Sequence, residues 1–358
     1  MTSLEGTVRL GILGAGSFAA RRHIPDAIAN KNVQLTGLCR RDPEARTRLA
    51  HHFKLDESIF YSDWKVMLDS APLDAVIIAT PNNLHYEMAV EAINRGLHVL
   101  LEKPMTIHTE DALKLVDLAE EKNVHIAVAF NPPHWAHCHQ IKRALKDPEI
   151  GQIESAAMYW TTQASTSFKR GAPQGLPAGH VVPPTEFRSD PEQNGGGYFI
   201  DGGSHLVAAL LWTTGLHAVQ VSAMMDHLPT DMRASLLIKL DNGAVATINC
   251  VGDSQFKGRR LRNVFGCENG TITVVTFDFE TTVAVQGHEL RRFKEADLAP
   301  VPGPLAALVN TILGGSAPLS SAKLGVHVVE VVEAAYKSAA TGKAVDICSM
   351  SAAVVSGT

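Results

Sequence analysis

The 358-residue chain predicts an α/β fold, a doubly wound parallel sheet at the N-terminus followed by a second, antiparallel domain. Three observations lead there. The length exceeds what one hydrophobic core usually organises. From Val8 to Phe130 short apolar runs alternate with longer helical patterns, the rhythm of βαβ units whose sheet is covered on both faces. After Asn131-Pro132-Pro133 that rhythm gives way to strands of alternating pattern and tight turns, so the division falls at 1–130 and 131–358.

The strands expected in the parallel sheet are Val8–Leu13, Val33–Cys39, Ala75–Ala79, His98–Leu101 and His125–Phe130. Met88, Ala92 and Arg95 lie on a helix ending at Gly96, and Leu113, Val116 and Ala119 on one ending near Asn123. Glycine or asparagine can take the left-handed cap at both ends. In the second half a helix runs from about Trp135 to Lys146. Asp241-Asn242-Gly243 separates Leu236–Leu240 from Val245–Cys250, and Asn269-Gly270 precedes Thr271–Val275, which is hairpin-turn chemistry. Ser165–Asn194 is rich in Gly, Pro and Ser without periodicity and reads as a substrate lid. Leu324, Val328, Val331 and Ala335 recur at helical spacing before Gly342, and the chain after Ile347 reads as frayed.

With 45% hydrophobic and 19% charged residues and a net charge of -5, the composition excludes a disordered chain and argues against a nucleic-acid partner. Five scattered cysteines without a CxxC pair indicate neither a disulfide framework nor a thiolate zinc site, which fits a reducing, cytoplasmic location. Met1–Thr7 has no signal-peptide core, and no apolar run is long enough to span a bilayer, so no membrane partner is expected.

Gly11-Ile12-Leu13-Gly14-Ala15-Gly16-Ser17-Phe18-Ala19 places a GxGxxA after the first strand and before a helix, the context of a Rossmann dinucleotide site. Gly14 permits the tight turn and Gly16 the close approach of a pyrophosphate. The helix starting at Ser17 and Phe18 aims free N–H groups at the phosphates, and Ala19 keeps helix and strand close. At the end of the second strand stand Cys39, Arg40 and Arg41, where NAD-binding domains usually place a carboxylate on the ribose 2′-OH. Two guanidinium groups suit a 2′-phosphate, so NADP is favoured, with NAD possible. The alternative is that both arginines are solvated and Asp42 caps the next helix.

Glu102-Lys103-Pro104 follows Ala79-Thr80-Pro81-Asn82-Asn83-Leu84-His85, and Gly195-Gly196-Gly197-Tyr198-Phe199-Ile200-Asp201-Gly202-Gly203-Ser204-His205 comes later. In this order, and together with GxGxxA, these motifs resemble the glucose-fructose oxidoreductase / inositol dehydrogenase / MocA (Gfo/Idh/MocA) family over nearly the whole chain. The resemblance implies a C-terminal α+β domain whose large, mainly antiparallel sheet lines the substrate site and often mediates oligomers, here a dimer or tetramer. It also implies NAD(P)-dependent chemistry on sugars, cyclitols and related alcohols or ketones.

Lys103 lies just past the carboxyl end of a parallel strand, where ligands bind in open α/β sheets. Its ammonium can stabilise alkoxide character on a reacting oxygen, and the resemblance gives it that role. Asp201 and His205 are four apart in a segment that reads as a helix, so they share a face. His205 titrates near neutral pH and is the expected general acid/base; Asp201 can bind substrate hydroxyls and bias the charge of His205, or cap the helix. Thr80, Pro81, Asn82 and His85 are expected near the nicotinamide ribose, Glu102 and Lys103 among the cofactor contacts, and Asn131 and Arg188 near substrate; Arg188 and Asp190 match a recurrent polar pair of the resembling family, which implies that they order this segment or touch substrate.

His134, His137 and His139 with Cys138 form a dense cluster, but His139 leaves the face shared by the other two, so no metal site is expected. These histidines read as solvated or substrate-facing. This stretch departs from the family's Tyr-Arg-Phe-like pattern and leaves the substrate open. The leading function is an NADP-dependent oxidoreductase of a small polyhydroxylated substrate. The alternatives are a redox-neutral, glycosidase-like enzyme using bound NAD(P), and a dinucleotide sensor without turnover.

Overall fold

The computed structural model describes residues 6–169, 179–276 and 279–347. A six-stranded sheet is formed by β1 (Val8–Leu13), β2 (Val33–Cys39), β3 (Phe60–Tyr61), β4 (Ala75–Ile78), β5 (His98–Leu101) and β6 (Ile126–Val128). Its order is β3-β2-β1-β4-β5-β6, all parallel. The reversal of order between β1 and β4 opens a crevice at the carboxyl ends of the strands, where α/β sheets bind ligands.

The crossovers are helical: α1 (Ser17–Arg21) and α2 (His23–Ala29), α3 (Pro43–Phe53), α4 (Trp64–Ser70), α5 (His85–Asn94) and α6 (Thr109–Lys122). The helix expected from Ser17 is broken at Arg22 (φ -128°, ψ -66°). Pro25 explains the break, because in one continuous helix its ring would clash with the carbonyl of Arg21. Asn123 takes the left-handed cap of α6 at φ 54°, and Gly96 turns at φ 74° just after α5.

Every residue of β4 is buried, with alternate side chains entering different cores: Val76 and Ile78 pack with Met88 and Leu115, Ala75 and Ile77 with Ile24 and Leu100. Each such large apolar side chain contributes roughly 1.5–3 kcal/mol relative to exposure.

The second half holds α7 (Ala136–Ala144), α8 (Pro191–Asn194), α9 (Ser204–Thr214), α10 (Pro304–Ile312) and α11 (Ala322–Thr341). Its strands are β7 (Ile153–Thr161), β8 (Ala218–Met225), β9 (Arg233–Leu240), β10 (Val245–Val251), β11 (Arg260–Cys267), β12 (Gly270–Val275), β13 (Glu280–Val285), β14 (Arg291–Phe293) and β15 (Val345–Asp346). They form a nine-stranded sheet, β14-β13-β12-β11-β7-β10-β9-β8-β15. Among the described residues of this sheet only β7 and β10 pair in parallel; the hairpin joining β9 and β10 turns at Gly243, φ 90°. One face packs on α7, α9 and α11, while β9 and β10 alternate exposed and buried residues and leave the other face open.

The chain past residue 131 also returns to the first sheet. Leu305, Leu308 and Val309 of α10 are buried in the same core as Leu100 and Ala127, and Val128 donates its N–H to the Ser320 carbonyl. The expected fraying after Ile347 concerns residues outside those described. Among the described residues the four cysteines, Cys39, Cys138, Cys250 and Cys267, are free and buried, and no helix is long and apolar enough to cross a membrane.

Glu330, buried on α11, has its carboxyl pushed up to about 7 by burial, with nearby His217 opposing. Since the folded value lies above the unfolded one, the native state holds the extra proton between pH 4.5 and about 7, and stability falls as pH rises through that window. Urea unfolding of Glu330→Gln is expected to show its advantage over wild type growing by about 2 kcal/mol from pH 5 to pH 8. A constant difference would show that the carboxyl ionises freely in the fold.

Candidate active site

Gly14 (φ 87°) makes the turn after β1, and a side chain there would place its first carbon 2.6 Å from the Ala79 carbonyl oxygen. Only glycine fits so close an approach. At Gly16 the same carbon would meet nothing nearer than the Arg40 guanidinium at 3.5 Å, so the entrance to α1 stays open on the side of that cation. Arg40 Nε is buried without a hydrogen-bond partner, and burial lowers the pKa of the group. An unmet buried donor beside an open glycine turn fits an anionic dinucleotide. Ala19 is buried on the inner side of α1, and Phe18 is 42% exposed on the cleft wall.

Other expected cofactor contacts have different surroundings. The Cys39 side chain is buried and its carbonyl accepts from Ala15 N, so it holds the glycine turn from behind. Arg41 is exposed, and Arg46 Nη1 donates to the carbonyls of both Arg40 and Arg41 at 2.8 Å. Asp42 caps α3, accepting from Ala45 N at 3.2 Å, as the alternative reading held.

His85 does not reach the cleft. It is fully buried, with Nδ1 at 2.9 Å from the Pro104 carbonyl and Nε2 at 3.1 Å from that of Thr80, clamping the loop after β5 to the loop after β4. Burial lowers its pKa, and a neutral ring can donate to only one of the two carbonyls. Asn82 lines the cleft but donates to Asn194 O at 2.8 Å, and Thr80 lines it beside Ala79, whereas Pro81 is not on the wall. Glu102 is held by His23 Nε2 at 2.8 Å; burial works to raise its carboxyl, but His23 and Lys103 outweigh it and keep it ionised.

Two connected cavities, of about 220 and 400 Å3, share Lys103, Arg188, Asp201 and His205. Lys103, two residues beyond β5, donates to Asp201 Oδ1 at 2.5 Å and to its carbonyl at 2.9 Å. Two of the three ammonium donors are thereby used, leaving one for a ligand. Arg188 Nε lies 3.3 Å from Asp201 Oδ2. Burial works to raise the Asp201 carboxyl, but Arg188 and Lys103 prevail and hold it well below the usual carboxylate range. Asn131 lines the smaller cavity. Asp190 caps α8 and accepts from Gln193 Nε2 at 2.8 Å.

Asp201 lies on a π-helical turn, Phe199–Gly203, and His205 on the first turn of α9, not on one regular helix. The wider turn still brings both to the cleft. Burial, then the Lys103 charge, push the His205 imidazole down to about 3, which overturns the expectation of titration near neutrality. Nδ1 of His205 is buried without a partner, leaving Nε2 for a ligand, and the ring stacks on Trp160 at 6.4 Å.

His137 is buried while His134 and His139 are half-buried, and none of the three lines the cleft. They are taken by the Pro302 carbonyl (2.7 Å), Glu295 (3.1 Å) and the Pro133 carbonyl (2.9 Å). Of the expected lid, residues 170–178 lie outside those described. Ser167, Phe168, Pro184, Thr185 and Phe187 form cleft wall, while Val182 is buried in the core of the first sheet and His180 Nδ1 meets Ser17 Oγ at 2.8 Å.

Residues 8–130 match the model of an oxidoreductase family with an NAD-binding Rossmann fold, and residues 138–273 match the Gfo/Idh/MocA C-terminal domain. The chain belongs to the Gfo/Idh/MocA family. It is 24% identical over 360 residues to D-glucoside 3-dehydrogenase of Escherichia coli strain K12, covering 95% of this chain and 97% of that one. It is 26% identical over 347 residues to D-xylose 1-dehydrogenase (NADP(+)) 2 of Haloferax volcanii, covering 94% and 99%. An inositol dehydrogenase homolog from Azotobacter vinelandii, solved with NAD+, has the same fold at TM-score 0.80 and 18% identity, over 96% of this chain and 98% of that one. Like its Gfo/Idh/MocA relatives, the chain is a nicotinamide-dinucleotide oxidoreductase acting on CH–OH groups.

Sequence reasoning missed the residues that hold the family's glycine run. Asp231, wholly buried, accepts from Gly197 N (3.2 Å), Phe199 N (2.8 Å) and Tyr336 Oη (2.6 Å). A side chain on Gly197 would collide with Asp231, and one on Gly196 with Tyr336. His23, Trp160 and Arg259 were missed as well; none belongs to a local pattern.

The charge state of His205 can be read by NMR of ring-labelled protein, assigned against His205→Asn. The neutral ring is expected to persist from pH 8 to pH 5 in wild type, and the transition to move up in Lys103→Met. A wild-type midpoint near 6.5 would mean an ordinary solvated histidine.

Proposed function

We propose that this protein is an NADP-dependent dehydrogenase or reductase of a small polyhydroxylated molecule, with Lys103 and His205 as its catalytic pair. The observation that carries the reading is the convergence of Lys103, Asp201 and His205 in a cleft that also contains Gly16 and Ser17. Residues 1–130 would hold the cofactor and 131–358 the substrate. The bound nicotinamide supplies the hydride acceptor for oxidation, or its donor for reduction.

The free N–H of Lys103 donates to the reacting oxygen and favours its alkoxide character. His205, neutral at physiological pH, accepts the hydroxyl proton at Nε2 during oxidation and returns it during reduction. Asp201 holds Lys103 and Arg188 in place, and Asn131 and the Arg188 fork face the substrate hydroxyls. Glu102, bound to His23, fixes the backbone of Lys103, whose N–H it accepts at 3.2 Å.

NADP is supported by the buried, unmet Arg40 Nε, whose guanidinium lies beside the open Gly16 turn. The name of the Haloferax volcanii relative carries the same cofactor. The buried free thiols suit a reducing cytoplasm. Tyr159, Leu237 and Val245, exposed on the nine-stranded sheet, support a homo-oligomer joined through that face.

Fluorescence titration is expected to show NADPH binding more tightly than NADH, with Arg40→Gln erasing about tenfold or more of that preference. Tighter NADH binding, unaffected by the substitution, would assign NAD. In steady-state assays over polyols and keto-sugars, Lys103→Met and His205→Asn are each expected to lower kcat by about 100-fold or more while NADPH still binds. Unchanged kcat in either would remove that residue from the chemistry, and cofactor binding without turnover across the panel would favour a sensor.

A further inference from the structure

Each carboxylate lining the two cavities already has a basic partner. Asp26 pairs with Arg22 at 2.9 Å, Glu102 with His23 at 2.8 Å, and Asp201 with Lys103 at 2.5 Å and Arg188 at 3.3 Å. Two further arginines, Arg21 and Arg259, line the larger cavity, and neither has a carboxylate within ion-pair distance among the described residues. Arg21 belongs to the glycine-turn side: its Nε lies 3.4 Å from the Ser17 carbonyl on α1, where the dinucleotide phosphates would neutralise it.

Arg259 is on the substrate side. It precedes β11, and its guanidinium sits 4.5 Å from the centre of the Trp160 ring, the ring on which His205 stacks. Trp160 is immobilised, buried and donating its indole N–H to Tyr198 Oη at 3.0 Å, so the arginine rests on a fixed platform. Partial burial lowers the pKa of Arg259, the mark of a cation that has lost some water and gained no carboxylate. Arg188 spends only Nε on Asp201, and no hydrogen bond engages its two terminal nitrogens among the described residues. A neutral polyol would leave Arg259 without a counter-charge and the terminal nitrogens of Arg188 without a charged acceptor, whereas an anionic oxygen group matches their fork geometry.

We propose that the substrate carries an anionic oxygen group, a carboxylate or a phosphate, received by Arg259 and the free end of Arg188 while its reacting carbon lies at Lys103 and His205. The substrate class is then a sugar acid or a sugar phosphate. This inference rests on the polyol oxidoreductase reading and narrows it.

The test titrates NADP(H)-loaded protein calorimetrically with D-glucose, D-glucuronate, D-gluconate and D-glucose 6-phosphate, and measures kcat/KM for each. At least one anion is expected to bind about tenfold or more tightly than glucose. Arg259→Gln is expected to reduce that anion-to-neutral ratio about tenfold or more, and Arg259→Lys, which keeps the charge, to restore part of it. The two acids against the phosphate ester separate a carboxylate from a phosphate. Glucose binding as tightly as every anion, no anion-dependent binding at all, or an anion preference that survives in Arg259→Gln overturns the inference. Glucose turnover at a kcat/KM equal to the anions would do so while leaving the polyol reading intact. Arg259-dependent anion binding with no turnover would instead sustain the inference and sink the catalytic reading.

Discussion

The contact between Lys103 and Asp201 joins the two halves of the molecule in the wall of the cleft. Lys103 comes from the end of β5 in the parallel sheet, Asp201 from the turn that leads into α9, and the two charges meet with side-chain exposures of only 11% and 17%. Withdrawing both from water is costly, and an ion pair so placed persists only when further bonds complete it. Here Arg188 takes the second carboxylate oxygen and the Asp201 carbonyl takes a second Lys103 proton. Burial first, and then the same ammonium, keep His205 neutral, so the charge placement adds to what desolvation already favours.

That placement needs the 196–203 segment to lie flush against its supports, and this is the physical content of the glycine run. Gly196 and Gly197 leave no room for a side chain because Tyr336 and Asp231 bond directly to the backbone. Asn194, wholly buried, bridges to the carbonyls of Gly196 and Gly197 and accepts from Asn82 across the boundary between the sheets. Satisfied polar networks of this kind fix one geometry where apolar packing alone would tolerate several.

Local signals were legible in the sequence. Strands β4 and β5 stand out because they are buried on both faces and their runs are nearly all apolar, and the glycine turn because its spacing is dictated by one tight bend, whereas the two-residue β3 left no such mark. The convergence of Lys103, Asp201 and His205 was readable from the order of the motifs. What escaped were properties created by partners far away in the chain. Asp231 and Tyr336 hold the glycine run from more than thirty and more than one hundred residues downstream. The low pKa of His205 depends on burial and on Lys103, so its reference value misled. The dense His134–His139 stretch looked free for ligands only because its captors, Glu295 and Pro302 among them, lie some 160 residues on. His85 was misplaced for the converse reason, since its two carbonyl partners turn it away from the cleft beneath which it lies.

A continuous core also ties the two sheets together more closely than a division near residue 130 implies. One cluster of buried side chains runs from Leu13, Val76 and Leu101 through Phe130 and Trp160 to Ile248 and Phe265, and so passes from one sheet to the other beneath the cleft. On the opposite side of the first sheet, Val182 and three residues of α10 complete a core that the first 130 residues leave open. Domains joined by small polar interfaces are free to move against each other, whereas a shared apolar core resists such motion. The crevice is therefore held from beneath by one packed interior. A packed interior of this kind favours one set of distances among Lys103, Asp201 and His205, and such preorganisation lets a site stabilise developing charge without rearranging to do so.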